Sequence, residues 1–178
     1  MVTDPGETRR LARTKRGENL DFRRHLKAHH CPEEAFHILA DEVAAQIDCT
    51  RCANCCREMI VNVSAEDVAR IAAHLRMPVF EVARQYVESD PDEPSRSVLI
   101  NRANSCVFLD GNLCLIYDAR PKPCREFPNL VSRSRSLGGR MASVCRHAEV
   151  CPIVYNTLEE YKRQVGYRPK PHHPPPAV

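Results

Sequence analysis

The residues with the clearest chemical potential in this sequence are cysteines, four of which lie within eight positions. They are Cys49, Cys52, Cys55 and Cys56. A metal ion or an iron–sulfur cluster needs several thiolates that converge on one small volume. Gaps of two residues let a compact turn direct successive sulfurs toward one point, so this run predicts a metal-binding site.

An ideal helix cannot direct all four of these thiols to one side. At about 100° per residue, Cys49, Cys52 and Cys56 would fall within about 60° of one another. Cys55 would then point elsewhere. A single site that uses all four cysteines therefore requires a loop in this segment.

Five further cysteines are candidate metal ligands: Cys106, Cys114, Cys124, Cys145 and Cys151. The resulting nine exceed the four that one zinc ion or one iron–sulfur cluster uses. Either the chain holds more than one site, or some of these cysteines are structural or redox-active. Cys31 stands apart, and we interpret it as an unligated or helix-capping thiol.

Arginines accompany the cysteines. Arg51, Arg57, Arg125 and Arg146 each adjoin one, and Arg120 lies four residues before Cys124. Four thiolates around Zn²⁺ or a [4Fe–4S]²⁺ core leave a net charge of about −2, which guanidinium groups would stabilise. The alternative is that arginine is simply common in this chain.

The cysteine pattern distinguishes iron from zinc only weakly, since both metals accept four thiolates in a tetrahedral arrangement. The first three cysteines match the start of the bacterial ferredoxin run C-x₂-C-x₂-C-x₃-C-P, but Cys56 follows immediately. Cys151-Pro152 supplies a Cys-Pro pair far downstream. Zinc ribbons use two separated C-x₂-C knuckles, and only one compact knuckle region is visible. The pattern favours a [4Fe–4S] cluster, with Zn²⁺ as the alternative.

Three motifs resemble the YkgJ-type cysteine-cluster family, also known by the pattern CxxCxxCC. They are Cys-Thr-Arg-Cys-Ala-Asn-Cys-Cys at 49–56, Cys-x₇-Cys-Leu-Ile-Tyr at 106–117, and Arg-Pro-Lys-Pro-Cys-Arg-Glu-Phe-Pro at 120–128. The family is described as zinc- or iron-chelating and is often labelled as containing an iron–sulfur cluster. The resemblance covers roughly residues 49–152. It implies metal chelation by the motif cysteines, which are Cys49, Cys52, Cys55, Cys56, Cys106, Cys114 and Cys124.

Local patterns predict the elements that position these cysteines. Apolar spacing and a capping box at Ser64 indicate helices over 32–47, 65–75, 78–88 and 153–165. Asp110-Gly111 indicates a hairpin over 106–114, which would bring Cys106 and Cys114 to the same end. Extended segments are expected at 60–63 and 98–100, a turn at Gly138-Gly139, and no helix in the proline-containing stretch 120–124.

The composition is that of an ordinary globular protein with a modest core. The chain has 178 residues, of which 43% are hydrophobic, 28% charged and only 6% aromatic. This balance excludes a wholly disordered or collagen-like chain. We expect an α+β fold, mostly helical: a small single domain with a short β-hairpin and irregular loops around a cysteine-bound metal centre.

Charge is unevenly distributed along the chain. Residues 1–30 hold eight Lys/Arg and four Asp/Glu, a net charge of +4, which leaves −1 for the rest. We predict a flexible basic arm over 1–30, a metal-binding domain over 31–167 and a disordered proline-rich tail over 168–178. The arm could contact nucleic acid or an acidic partner, but a solvated terminus is the simpler interpretation.

The sequence also predicts the compartment. No stretch approaches 18 consecutive apolar residues, and the polar start lacks the apolar segment of a signal peptide. We therefore expect a cytoplasmic protein with no membrane partner. Thiols stay reduced in the cytosol, which favours metal binding over disulfides.

Two classes of function remain. The first is a metal-chelating protein with an iron–sulfur cluster, acting in electron transfer, metal handling or support of an enzyme, with an unknown partner. The second is a structural zinc module that mediates protein or nucleic-acid interaction. A helix-turn-helix over 71–82 is disfavoured because Val79 and Phe80 would occupy the base-reading end. No catalytic residue is assigned: His147 beside Cys145 is the one close candidate for the base of a cysteine nucleophile, and it could equally be a metal ligand or a surface histidine.

Overall fold

The computed structural model describes residues 1–131 and 135–169. The chain divides into two compact units. The helical unit comprises Met1–Ile47 and the described residues from Leu130 onward, and the cysteine unit is Asp48–Asn129. The expected fold class, α+β and mostly helical with short antiparallel hairpins, is confirmed.

The elements are short in the middle of the chain and longer toward its two ends. In chain order, the α-helices are α1 (Pro5–Thr14), α2 (Arg16–Ala28), α3 (Glu33–Ala44), α4 (Cys49–Cys52), α5 (Asn54–Glu58), α6 (Ala65–Leu75), α7 (Val79–Tyr86), α8 (Lys122–Glu126), α9 (Leu137–His147) and α10 (Pro152–Gln164). The strands are β1 (Val87–Ser89), β2 (Ser97–Leu99), β3 (Asn101–Arg102), β4 (Ser105–Cys106), β5 (Leu109–Asp110) and β6 (Leu113–Cys114). A 3₁₀ helix spans Tyr117–Ala119. Among the described residues, no helix is both long and apolar enough to cross a membrane.

Helix α10 is the centre of the helical unit and packs against α1, α3 and α9. Phe22 of α2 and Phe36 of α3 meet the ring of Tyr161 edge-on, at centroid distances of 6.1 and 5.1 Å. All three rings are fully buried. Aromatic pairs in this geometry contribute about 0.5–1.5 kcal/mol beyond their buried area, so a few aromatic residues are enough to form this core.

Residues 1–30 differ from the flexible arm expected from their charge. They form α1 and α2, and Ala12 and Phe22 are buried. Arg16 donates two hydrogen bonds of 2.6 Å to the carboxylate of Glu149. The basic composition of residues 1–30 gave no indication that α1 and α2 have a buried apolar face. Their positive charges pair with acidic side chains far along the chain, as Arg16 does with Glu149. The tail expected over 168–178 lies outside the described residues from 170 on, as do residues 132–134.

A buried lysine connects α10 to α2. The ammonium group of Lys162 donates to Glu18 Oε1 at 2.7 Å, to Asn19 Oδ1 at 2.6 Å and to Glu159 Oε1 at 2.7 Å. Its side chain is only 3% exposed. Three donors and three acceptors are matched here, which is the condition under which a buried charge is tolerated.

The core of the cysteine unit lies beneath α6 and α7, which pack against each other. The predicted capping box is present: Ser64 Oγ accepts from the backbone N–H of Asp67 at 3.1 Å, and Asp67 Oδ2 accepts from the N–H of Ser64 at 3.1 Å. Ile71 and Val82 are fully buried in this core. Phe80, at the start of α7, lies outside this core and is exposed to solvent.

Three antiparallel strand pairs follow: β1 with β2, β3 with β4, and β5 with β6. Leu109 lies opposite Cys114, so the turn predicted at Asp110-Gly111 is confirmed. The hairpin is shorter than the predicted 106–114, because Cys106 pairs with Asn101 in β3–β4 and does not lie opposite Cys114. Gly111 has φ = 57° in its two-residue loop, a left-handed conformation that glycine adopts without strain.

Two other expectations were wrong. Residues 122–126 form α8 despite their prolines, because Pro121 and Pro123 occupy its first positions, where no helical N–H is required. Gly138 and Gly139 lie in the first turn of α9 instead of a free turn. Ser136 Oγ accepts from the N–H of Gly139 at 3.3 Å, and this cap starts the helix.

Replacing Lys162 by Met should destabilise the helical unit. The change keeps the apolar stem but leaves Glu18 without its cation and Glu159 with Lys15 alone, so we expect the free energy of unfolding to fall by about 2–4 kcal/mol. Arg163→Met is the matched control, because its ion pair with Glu160 is exposed to solvent and should contribute little to stability. Urea denaturation followed by circular dichroism measures both. Equal losses in the two variants would show that the buried ammonium contributes no more than a surface one.

Candidate metal centre

The first cysteine run folds as two short helices separated by one left-handed residue. Asp48 caps α4 by accepting from the N–H of Thr50 at 2.9 Å and from its hydroxyl at 2.6 Å. Ala53 then adopts φ = 47°, and α5 begins at the next residue. The break abolishes the alignment that one continuous helix would give, and Cys49, Cys55 and Cys56 face a common cavity.

An arginine ties these helices to the β5–β6 hairpin. The guanidinium of Arg57 donates to the carbonyl of Cys52 at 3.0 Å, to the carbonyl of Gly111 at 2.7 Å and to Asn112 Oδ1 at 2.6 Å. Asn112 returns a hydrogen bond of 3.1 Å to the carbonyl of Arg51. The tip of the hairpin is thereby held against the cysteine helices.

The resulting thiol cavity has a volume of about 150 Å³ and lies wholly within the cysteine unit. Six cysteines line it: Cys49, Cys55, Cys56, Cys106, Cys114 and Cys124. Its other walls are mostly apolar and include Met59, Ile60, Val61, Leu99, Phe108, Leu113, Ile116, Tyr117, Pro121, Pro123 and Phe127. Cys106, Cys114 and Cys124 also pack against the hydrophobic core of the unit. The cavity is therefore an extension of that core.

The six cysteines share this cavity without meeting at one point. Among the described residues, no three Cys, His, Asp or Glu side chains are placed as a single metal ion requires. Four thiolates at the usual Zn–S distance would lie about 3.8 Å from one another. The donor set is thiolate-rich and suits zinc or iron chemically, but its members are spread over the walls.

Burial disfavours the thiolate form of most of these cysteines. It raises the pKa of Cys106 to about 11 and that of Cys124 to about 12, and it also raises the pKa of Cys49 and Cys114. Backbone donors counteract this effect at two positions. The N–H of Phe108 donates to the sulfur of Cys106, and the N–H of Ile116 donates to that of Cys114. Such bonds favour the thiolate form.

Cys56 is the exception among the cavity thiols. A hydrogen bond from Cys55 lowers its pKa to about 7 against the opposing effect of burial, and the charges of Arg57 and Arg120 act in the same direction. Its thiol is half-buried and forms no disulfide. A thiolate is therefore available at neutral pH on the wall where α5 begins.

Arg120 is the cation shared by the cavity. Its guanidinium carbon lies 3.7 Å from the centroid of the Tyr117 ring, and its Nε donates to the Tyr117 carbonyl at 3.0 Å. Its charge lowers the pKa of four thiols, namely Cys49, Cys56, Cys114 and Cys124. This is the counter-charge role suggested by the arginines near cysteines in the sequence.

Three sequence-predicted site residues lie outside the cavity lining. Cys52 sits at the end of α4, close enough to Cys49 that its thiolate raises the pKa of Cys49. Cys145 on α9 and Cys151 before α10 belong to the helical unit. Burial raises the pKa of Cys145 to about 11. Cys31, interpreted as separate from the site, also belongs to the helical unit.

Sequence reasoning missed the backbone donors and Asn112. A signal for the donors is present, since Cys106-Val-Phe108 and Cys114-Leu-Ile116 repeat the order cysteine, apolar, apolar. Each places an N–H two residues after a thiol, at a strand end where the chain turns back. Asn112 had no such signal, because its partner Arg57 lies 55 residues away.

Metal-free protein should show an ordered thiol reactivity. At pH 7, iodoacetamide should modify Cys56 faster than Cys106 by on the order of 100-fold, since its larger thiolate fraction outweighs its lower intrinsic nucleophilicity. The Cys56 rate should level off above pH 7, while the Cys106 rate keeps rising toward pH 11. Mass spectrometry of peptides after timed quenching measures both rates. Equal rates at pH 7 would contradict the assigned environments.

Comparison with curated proteins finds a relative that matches part of the chain. An uncharacterized protein of Methanocaldococcus jannaschii is 34% identical over 82 residues, which cover 45% of this chain and 43% of that protein. The chain thus spans less than half the length of this relative. No solved structure shows a significant match to the chain.

A family model matches residues 48–152, more than half of the chain. Its description is CxxCxxCC, "Putative zinc- or iron-chelating domain". The match includes all six cysteines of the thiol cavity, and it confirms the resemblance seen in the three sequence motifs. On this match over more than half of its length, the chain belongs to the CxxCxxCC family.

Proposed function

We propose that the thiol cavity binds an iron–sulfur cluster through its cysteine thiolates. Membership of the family supports metal chelation in general. The observation that carries the more specific proposal is the grouping of six cysteines around one cavity of about 150 Å³. When bound, such a cluster supplies one-electron transfer.

The spread of the thiols favours a cluster over a single ion. One zinc ion draws four sulfurs to about 3.8 Å from one another, and no three candidate ligands among the described residues approach that arrangement. A cluster contains several irons and sulfides, so its protein ligands stand farther apart. Walls that hold thiols around a common space, rather than at a point, suit the larger group.

The charges around the cavity support an anionic occupant. Four thiolates with a [4Fe–4S]²⁺ core carry a net charge of about −2, which must be stabilised in an apolar space. Arg120 supplies a positive charge, and the N–H groups of Phe108 and Ile116 donate to sulfur. Hydrogen bonds to the sulfurs and exclusion of solvent also tune the reduction potential of such a centre.

The proposal extends to the biological setting. A thiol-ligated centre requires reduced cysteines, so we place the protein in the cytoplasm. We assign the metal-binding part to Asp48–Asn129, which contains every cavity cysteine. Electron transfer, metal handling and support of an enzyme are the roles compatible with a centre whose apolar walls reach the surface.

A structural zinc module with an interaction surface is the alternative. It is supported by exposed apolar side chains on the cavity wall: Ile60 is 49%, Tyr117 54% and Leu113 62% exposed. Such side chains are favourable contacts for a protein partner. In that case zinc would hold the segments together and the surface would carry the function.

The first test is the metal, acid-labile sulfide and visible spectrum of anaerobically purified protein. Iron with sulfide and broad visible absorption supports the cluster. Zinc without sulfide overturns it in favour of the structural module. Neither metal, in folded protein, overturns metal binding by the cavity altogether.

The ligand assignment has its own test. Cys124→Ser should remove most of the bound iron, because Cys124 lies on the cavity wall. Cys145→Ser is the matched control, a half-buried cysteine in the helical unit, and should retain it. Iron and sulfide per protein are measured for both variants. Equal depletion would show that the ligand set extends beyond the cavity.

A further inference from the structure

We propose that Asp67 and Arg70, on α6 and outside the thiol cavity, are positioning residues that direct Arg120 and Cys124 into it. The proposal rests on the metal-binding function proposed for the cavity. It concerns a helix that contains no cysteine and that no sequence motif connected with the metal site. Two hydrogen bonds from α6 hold the backbone on either side of Pro121.

We call Asp67 and Arg70, with their hydrogen bonds to the backbone on either side of Pro121, the clamp. Asp67 is its first half. Its carboxylate is buried, with the residue only 4% exposed, and forms an ion pair with Arg70. Oδ2 accepts from the N–H and the hydroxyl of Ser64, both at 3.1 Å, as part of the capping box. Oδ1 accepts from the N–H of Lys122 at 2.9 Å, across 55 residues of sequence. A single carboxylate therefore anchors the first turns of both α6 and α8.

Arg70 is the second half. Its guanidinium donates to the carbonyl of Arg120 at 3.1 Å while it pairs with Asp67. Arg125 donates to the same carbonyl at 3.0 Å. The backbone is thus held immediately before Pro121, at the Arg120 carbonyl, and immediately after it, at the Lys122 N–H. Pro121 restricts φ between these two points, which leaves the segment little freedom.

The clamp determines where two cavity groups point. Cys124 follows Lys122 by two residues, and its N–H donates to the carbonyl of Pro121 at 3.0 Å. Helix α8 has only five residues, too few to be stable without tertiary contacts. Arg120, the cation of the cavity, belongs to the same clamped backbone. Loss of the clamp should release both the thiol and its counter-charge.

The electrostatics of Asp67 agree with this role. Burial opposes ionisation, but hydrogen bonds from Ser64, Lys122 and Arg70 more than compensate and hold the pKa of Asp67 below its ordinary value. The carboxylate is therefore charged throughout the neutral range. Its contribution to stability is present above the ordinary carboxyl pKa and is lost as the pH falls through the lowered value.

The test compares Asp67→Asn with Ser64→Ala. Ser64→Ala removes the other half of the capping box but keeps the contacts of Asp67 with Lys122 and Arg70. Both variants should weaken α6 and lower the denaturation midpoint. Only Asp67→Asn should raise the alkylation rate of Cys124 in metal-free protein, by about tenfold, because local opening of α8 becomes more populated. The alkylation rate of Cys145, on α9 of the helical unit and outside the influence of Arg120, should stay unchanged and serves as the internal control.

A second measurement uses the loaded protein. Iron release to an external chelator should be about tenfold faster in Asp67→Asn than in Ser64→Ala. If Asp67→Asn does not fold, Arg70→Gln tests the same clamp from its more exposed side. Matching rates in the clamp variant and in Ser64→Ala, for both Cys124 alkylation and iron release, would overturn the proposal. If the wild-type chain holds no metal, the proposed function fails, and the Cys124 alkylation rates still decide whether the clamp exists.

Discussion

The constraint on which the cysteine unit depends is the gathering of ionisable sulfurs in an apolar cavity. Burial alone would keep these thiols neutral, as the raised pKa values of Cys106 and Cys124 indicate. Metals bind the thiolate, so the protein must supply the stabilisation of negative charge on sulfur that water would otherwise give. It does so with backbone N–H donors two residues after a cysteine and with the charges of Arg57 and Arg120. The folding of the surrounding segments serves to put these few donors and charges in place.

None of the segments that carry a cavity cysteine is long enough to be stable without tertiary contacts. Helices α4, α5 and α8 have four or five residues, and β4 and β6 have two each. Their positions come from tertiary contacts: Arg57 to the β5–β6 hairpin, α6 to the start of α8, and the core shared with the cavity walls. Metal binding in such a unit adds directly to its folding free energy, because the site does not exist in the unfolded chain.

This dependence explains which features the sequence could predict. Ser64 with Asp67 and the apolar stripe of α3 are local signals, and each produced the predicted element. Asp110-Gly111 produced its turn, but in a hairpin shorter than predicted. The break at Ala53 is different, because alanine has no local preference for positive φ and the conformation is imposed by its surroundings. The same holds for the packing of α1 and α2, whose acidic partners lie more than 130 residues away. The cysteines could be recognised by type, but the identity of those sharing a wall followed from tertiary contacts.

The charge of Arg120 acts on several of the cavity thiols at once. Four of them, Cys49, Cys56, Cys114 and Cys124, are close enough to Arg120 for its charge to favour their thiolates. For Cys106 the opposing influence is a backbone N–H, and the neighbouring thiolates of Cys56 and Cys114 disfavour its ionisation further. One cation on the cavity wall thus favours the thiolate form of cysteines from α4, α5, β6 and α8, segments that lie far apart along the chain and meet only through tertiary contacts.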